Sequence, residues 1–412
     1  MRLRTALAVA LGLRIAAACT HALQGPVVQP DEGNYLLLAR ALVEEHRSAT
    51  HPGGPPEVIR GPAYAAFLVP LHLLGTTPVL GPALAQALLG TLTVWIAATA
   101  VRRRLVRDGV GAEPAARAAT LAAWACALSP IAIAWERLVM SEALATLLLT
   151  AVFALWCEVP HARRPAAMAA AAGLGLGVLV LAKPAFLLLP IALAVPAVLR
   201  RHPAGIAHAA VAALAAAAVV APWTARNHAV IGRPVPVGLG SGVFLYAATL
   251  PRASDGVPVF ADAADREALA RYLSHDTSVA ERVAADDAFR RRAVVTIRAH
   301  PFAYAASWPP RAVRLWVSSH AESLSKRLPP RPLRLALAAL FGLVTATAVS
   351  VVLLPAGAWR RSGMALLAAP VYTTAVHAGL ASGSRYAVVA WPLVWCAAAV
   401  AVSARRRAGA GA

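Results

Sequence analysis

The sequence predicts an all-α protein that crosses a membrane many times, and three observations predict it. The chain has 412 residues, of which 59% are hydrophobic and only 14% charged. Its mean hydropathy is +0.63, well outside the range of an ordinary soluble domain. Apolar runs approaching the roughly 20 residues a helix needs to cross about 30 Å of hydrocarbon recur from end to end. Between them, arginine clusters fall at alternate ends, as positive-inside topology requires.

The runs are 5–23, 80–101, 116–134, 143–156, 166–181, 185–199, 204–223, 333–354, 363–380 and 386–402, which predicts about ten transmembrane helices. Three of them are shorter or broken by Gly and Pro, which buried neighbours can tolerate. Pro30 limits how far the first helix continues and opens a first loop over 24–64. Residues 135–141 form a short second loop on the same side, and Lys183-Pro184 a turn after the fifth run. Gly173, Gly175 and Gly177 lie within that fifth run and read as close helix packing. The stretch 224–332 has soluble-protein composition and predicts a long extracytoplasmic loop. Within it, 261–299 reads as one or two surface helices, and Trp308 through Trp316 as an interfacial segment, since Trp favours the headgroup level. Three further runs follow, with a turn at 381–385 before the last. The chain is thus expected to divide into an N-terminal membrane module (1–223), the long loop (224–332), and C-terminal helices with a basic tail (333–412).

A net charge of +20 invites a nucleic-acid reading, but the placement of the charge excludes it. Basic clusters stand at Arg2/Arg4, Arg102–Arg104 with Arg107, Arg163/Arg164, Arg200/Arg201, Arg360/Arg361 and Arg405–Arg407. Ten spans from a cytoplasmic N-terminus end at a cytoplasmic C-terminus, and the clusters agree at both ends. The plasma membrane is the expected location, with the chemistry outside. Cleavage of the first span as a signal peptide is not expected, because Arg14 interrupts it and its loss would upset every later charge. Cys19, Cys126, Cys157 and Cys396 lie in or beside apolar runs without ligand spacing, so neither a metal site nor a disulfide framework is expected. His300, His320 and His377 are isolated from one another and read as packing or interface residues.

Asp31 and Glu32 are where chemistry is expected. An acidic pair at the first lipid–water boundary could merely solvate a loop. Five cations on other outward connections argue for more: Arg60, Arg137, Lys183, Arg226 and Arg385. Each alone could anchor at lipid phosphates; together they suggest an anion site ringed by helix ends. A lipid-phosphate sugar donor needs this combination. Its leaving phosphate gains charge as the glycosidic bond breaks, and fixed Arg and Lys side chains can stabilise that gain. The acceptor hydroxyl needs a base, and an ionised Asp can serve.

The chain resembles the bacterial members of glycosyltransferase family 39 and their GT-C relatives, which include protein O-mannosyltransferases and the lipid A aminoarabinose transferase. The likeness runs from about residue 2 to 403 and is weak in the long loop. It is carried by Pro30-Asp31-Glu32-Gly33-Asn34-Tyr35, Arg60-Gly61-Pro62-Ala63-Tyr64, Ser129-Pro130, Met140-Ser141-Glu142-Ala143-Leu144 and Leu181-Ala182-Lys183-Pro184. It continues through Ala221-Pro222-Trp223-Thr224-Ala225-Arg226-Asn227 with Gly232, His300-Pro301-Phe302 and Ser384-Arg385-Tyr386. The resemblance implies Asp31 as general base, with Glu32 shaping the same pocket. It implies that Glu142 positions substrate or a metal, unless it only caps the fourth span. Arg226 and Arg385 match arginines near the carrier phosphate, and Arg60, Tyr64, Lys183 and Tyr386 are further substrate-binding candidates. The likeness allows a divalent cation without requiring one. Ala65 stands where the family usually has Pro, and Lys183 where bacterial relatives more often have Arg, so the donor sugar stays open.

The expected function is therefore inverting transfer of a sugar from a polyprenyl-phosphate carrier to a hydroxyl of a protein, glycan or lipid. Two other classes compete. A transporter or flippase expects mid-membrane ions and an inverted repeat, whereas the clear mid-span ion here is Arg14 alone. A non-catalytic envelope scaffold makes no demand on Asp31.

Overall fold

The computed structural model describes residues 2–23, 30–251, 258–318, 330–380 and 383–410. Gln29, His320 and the turn residues 381–382 lie outside that set. Among the described residues every regular element is helical.

Helix α1 (Arg2–Leu23) is the first apolar run. The expected first loop contains α2 (Pro30–Glu45), with Asp31 and Glu32 in its first turn. Proline suits this position because the opening N–H groups of a helix have no partner inside it, and carboxylates there complement the positive helix end. After an extended stretch, Gly61-Pro62 opens α3 (Pro62–Leu73). Then come α4 (Leu80–Arg107), α5 (Ala112–Ala127) and α6 (Pro130–Glu136). Helices α5 and α6 meet at a 49° bend, where Ser129 caps α6 by accepting the Ala132 N–H. The bundle continues with α7 (Glu142–Glu158), α8 (Pro165–Ala182), α9 (Leu189–Leu199) and α10 (Pro203–Ile231). Gly173 and Gly177 lie against the backbone of α10, where a Cβ would strike the carbonyl oxygens of Ala212 and Ala216. The close-packing reading of these glycines describes that contact.

The stretch 224–332 is no open loop at its start, since α10 runs on to Ile231. It then carries α11 (Ser241–Thr249), α12 (Ala263–Leu273), α13 (Val279–Ala299), α14 (Pro301–Ala306) and α15 (Trp308–Trp316). Helix α13 opens on a capping box between Ser278 and Glu281. Asp286 receives the N–H groups of Gly240, Gly242 and Val243 at 3.1, 3.0 and 3.2 Å, fixing the start of α11 against α13. Arg233 grips Asp287 with two 2.9 Å bonds. The chain closes with α16 (Arg331–Val349), α17 (Ala358–Leu366), α18 (Ala368–Ala378), a 3-10 turn (Ser384–Ala390) and α19 (Trp391–Ala410).

Seven helices among the described residues are long and apolar enough to span a membrane, or eight if the bent α5–α6 pair counts as one. The protein is therefore a multi-pass helical membrane protein, but the count of ten is not reached by this measure. The physical reason is proline. Run 185–199 starts behind Pro184 and holds Pro190 and Pro196, and only 11 residues of it form α9. Run 363–380 divides at Leu367, just before Pro370, whose ring crowds the carbonyl one turn back. The last span threads the centre of the bundle, with 78% of its apolar window buried. Trp391, Val394, Ala397 and Val400 meet α4, α5 and α16 in the main core.

Candidate active site

The site is assembled from short segments that helix punctuation places at one end of the bundle. Pro184 restricts the residue before it, and Lys183 accordingly leaves the helix with an extended backbone at the end of α8. Arg60 lies just before α3. A Cβ at Gly61 would collide with the carbonyl oxygen of Leu181, so glycine lets the Arg60 segment press against the end of α8. Glu142 opens α7, and Arg385 opens the 3-10 turn that leads into α19.

These residues form one alternating chain of charge. Arg60 donates to Asp31 at 3.0 Å and approaches Glu57 at 3.5 Å. Arg385 donates to the other Asp31 oxygen at 2.7 Å and, through Nε, to Glu142 Oε1 at 2.5 Å. Lys183 reaches that same Oε1 at 2.8 Å. The sequence of charges Glu57, Arg60, Asp31, Arg385, Glu142, Lys183 therefore alternates without a break. Glu142 is wholly buried and its Oε2 has no hydrogen-bond partner, whereas the Asp31 side chain keeps 31% of its exposure. The chain is closed at Glu142 and open at Asp31.

Burial alone would push the Asp31 carboxyl up; Arg385 and Arg60 outweigh it and hold the group well below the usual carboxylate range. Burial pushes the Lys183 ammonium down, Glu142 opposing and Arg385 adding to the fall. Burial, with the Asp31 charge behind it, raises the Tyr35 phenol to about 12, so it stays protonated and donates to Ser141 Oγ at 3.5 Å. Tyr386 packs face to face with His377, ring centres 4.7 Å apart, and Lys183 sits 5.8 Å above its ring.

The structure thus brings Asp31, Arg60, Glu142, Lys183, Arg385 and Tyr386 together. Four other candidates stand differently. Glu32 turns away from the open side, 1% exposed, and its Oε2 meets His21 Nε2 and the Val139 N–H, both at 3.0 Å. Tyr64 is fully buried and donates to Gln86 Oε1 at 2.7 Å. Arg226 is a neighbour of the chain rather than a link in it, donating to the carbonyls of Glu57 at 2.6 Å and Ser48 at 3.0 Å. Arg226 also stacks over Trp223, 4.7 Å from the ring centre, and so braces the segment that presents Arg60. Arg137 points to the carbonyl of Ala134 at 3.3 Å.

Sequence reading missed Glu57, His21 and Gln86. Glu57 precedes Arg60 by three residues, a spacing that could have exposed it. Gln86 is a lone amide in an apolar run, where polar side chains are costly and seldom idle. His21, an imidazole near the end of the first apolar run, carried the same signal.

A divalent cation needs several oxygen or imidazole ligands free to converge. Both Asp31 and Glu142 are engaged by guanidinium or ammonium groups, and no group of three or more acidic, His or Cys side chains converges among the described residues. The described side chains by themselves form no cage for a divalent cation, and no step is routed through one.

The chain is a multi-pass helical membrane protein, and its fold is similar to that of a solved membrane oligosaccharyltransferase. Among solved structures it is similar to the archaeal oligosaccharyltransferase AglB from Archaeoglobus fulgidus, seen with an inhibitory peptide and a dolichol-phosphate. There the TM-score is 0.55 at 15% identity, covering 98% of this chain and 50% of that one. An Archaeoglobus fulgidus oligosaccharyltransferase in complex with Zn and sulfate gives a TM-score of 0.53 at 14% identity, over 99% and 49%. ArnT from Cupriavidus metallidurans bound to undecaprenyl phosphate gives 0.45 at 16% identity, over 99% and 78%. The chain spans about half the length of the oligosaccharyltransferase. No protein-family model matches it, and neither does any curated protein sequence.

Proposed function

We propose that the protein is an inverting membrane glycosyltransferase that moves a sugar from a polyprenyl-phosphate carrier to an acceptor hydroxyl on the extracytoplasmic face. The observation that carries this reading is Asp31, half-open at the start of α2, with a guanidinium on each carboxylate oxygen. A phosphodiester entering that opening competes for Arg60 and Arg385. As they turn toward it, Asp31 is relieved of positive charge and regains basicity beside the acceptor. The acceptor oxygen then bonds to the anomeric carbon while the carbon–phosphate oxygen bond breaks. The phosphate leaves with the bonding pair, and the acceptor proton goes to Asp31. Lys183 and Arg385, anchored on Glu142, hold positive charge where the leaving group gains negative charge. No covalent enzyme intermediate is needed, which is why inversion follows.

The mid-helix ion Arg14, which a transporter reading would have used, is locked onto Glu136 at 2.5 Å with both side chains nearly inaccessible. That closed pair favours a structural role over a transport path. The test is turnover of a panel of polyprenyl-phosphate hexoses and pentoses by the purified protein and by Asp31→Asn. Mass spectrometry of envelope glycoconjugates made with each form identifies the acceptor. Turnover lost in Asp31→Asn, with undecaprenyl phosphate binding retained, is the expected result. No turnover of any donor by the unaltered protein, or full turnover by Asp31→Asn, would overturn the proposal.

A further inference from the structure

Beneath the open site, a second set of buried polar groups is used by none of the proposed chemistry. The backbone breaks between α5 and α6, and a break inside an apolar bundle leaves carbonyls that must find donors. Arg14, on α1, supplies them. Its guanidinium donates to the carbonyl of Ala127 at 3.1 Å and that of Cys126 at 3.4 Å, on one side of the break. Its Nε holds the Glu136 carboxylate at 2.5 Å on the other side. Gln86, on α4, does the same one step further along. Its amide donates to the carbonyls of Glu136 at 2.9 Å and Leu138 at 2.7 Å, and its oxygen accepts from Tyr64. Arg14, Gln86, Tyr64 and Glu136 are all at most 4% exposed.

The backbone gripped in this way is the one that serves the site. Val139 gives its N–H to Glu32, Ser141 accepts from Tyr35, and Glu142 anchors both Arg385 and Lys183. Residues Leu138 to Glu142 are almost wholly inaccessible, so they have no solvent to move into. We infer that Gln86, seconded by Tyr64 and Arg14, is a positioning residue that sets where the 137–142 segment stands relative to Asp31. None of the three touches the reacting atoms. They act by fixing Glu142, and through it Arg385, at one distance from the Asp31 carboxylate. This inference rests on the glycosyltransferase reading.

A chain of this kind has a signature that packing alone lacks. Tyr64→Phe removes one hydroxyl and Gln86→Leu removes the amide at similar volume. With whichever polyprenyl-phosphate sugar the unaltered protein turns over, Gln86→Leu should lower kcat per folded molecule by about 100-fold, the size expected for sub-ångström to ångström misplacement. The donor KM should stay within about twofold, since the open side of Asp31 is intact. Tyr64→Phe should lower kcat less, and should add nothing in the Gln86→Leu background, because both act through one amide. If Gln86→Leu does not fold, Tyr64→Phe and Arg14→Lys decide by the same kcat-against-KM split. Reduced thermal stability with kcat per folded molecule unchanged, or a rise in KM at constant kcat, would overturn the inference while leaving the glycosyltransferase reading standing. Absence of turnover by the unaltered protein with every donor would sink both.

Discussion

Asp31 carries two guanidinium contacts, and its behaviour with pH follows from them. A carboxyl whose folded proton affinity is depressed contributes stability above its ordinary value, near 3.9, and loses it as pH falls through the folded value. The stability these ion pairs add should therefore be full above roughly pH 4 and drain away below it, while the acid limb of kcat/KM, which follows Asp31 in the free protein, should lie below the ordinary carboxylate value. Arg60→Gln removes one of the two opposing charges, so that limb should move to higher pH. An unmoved limb would mean that Arg60 does not act on Asp31. Asp31→Asn should cut turnover by at least about 100-fold with binding kept, the ordinary worth of a positioned base. Arg385→Lys keeps the charge but cannot fork between Asp31 and Glu142. Undecaprenyl phosphate affinity, followed by titration, should fall by about tenfold.

At the scale of elements, the broken α5–α6 helix and the glycine before α3 bear the weight. Arg14 and Glu136 form a buried pair, and removing one partner strands the other charge in an apolar interior. Arg14→Ala and Glu136→Ala should each cost about 3–5 kcal/mol in reversible unfolding in mixed micelles, and the double variant less than their sum. Gly61→Ala forces the Arg60 segment away from the Leu181 carbonyl and should cost about 1–3 kcal/mol. Pairing explains why these elements were only partly legible beforehand. Arg14 stood out in its apolar run, but Glu136 lay 122 residues away and looked like loop. The stretch expected to be the first outward loop likewise hid α2, because Pro30 reads equally as the end of one helix and the beginning of another.

For the whole molecule, the charge alternation makes a topological prediction. Reporter groups fused at residues 2 and 410 should both answer from the cytoplasm. A cysteine at Glu267, whose side chain is 74% exposed on α12, should react with an impermeant reagent from outside. Opposite answers at the two termini would exclude ten spans, and an even number altogether. The count itself is where local reading and packing diverge most. Proline divides two of the apolar runs into helices too short to cross alone, and only their neighbours decide whether such pieces still span.

Membrane class and helical architecture were written in composition and periodicity, because a hydrocarbon solvent leaves the backbone few choices and each run declares itself locally. The candidate chemistry at Asp31, Arg60, Glu142, Lys183 and Arg385 could also be marked, since charged residues beside apolar helices are conspicuous. Which of them would touch was a different matter. The order in which they alternate, the turning of Glu32 toward His21, the burial of Tyr64 and the place of Gln86 beneath the site were decided by tertiary structure alone. Contacts between residues 29 to 354 positions apart depend on how helices pack, and no local pattern encodes that distance.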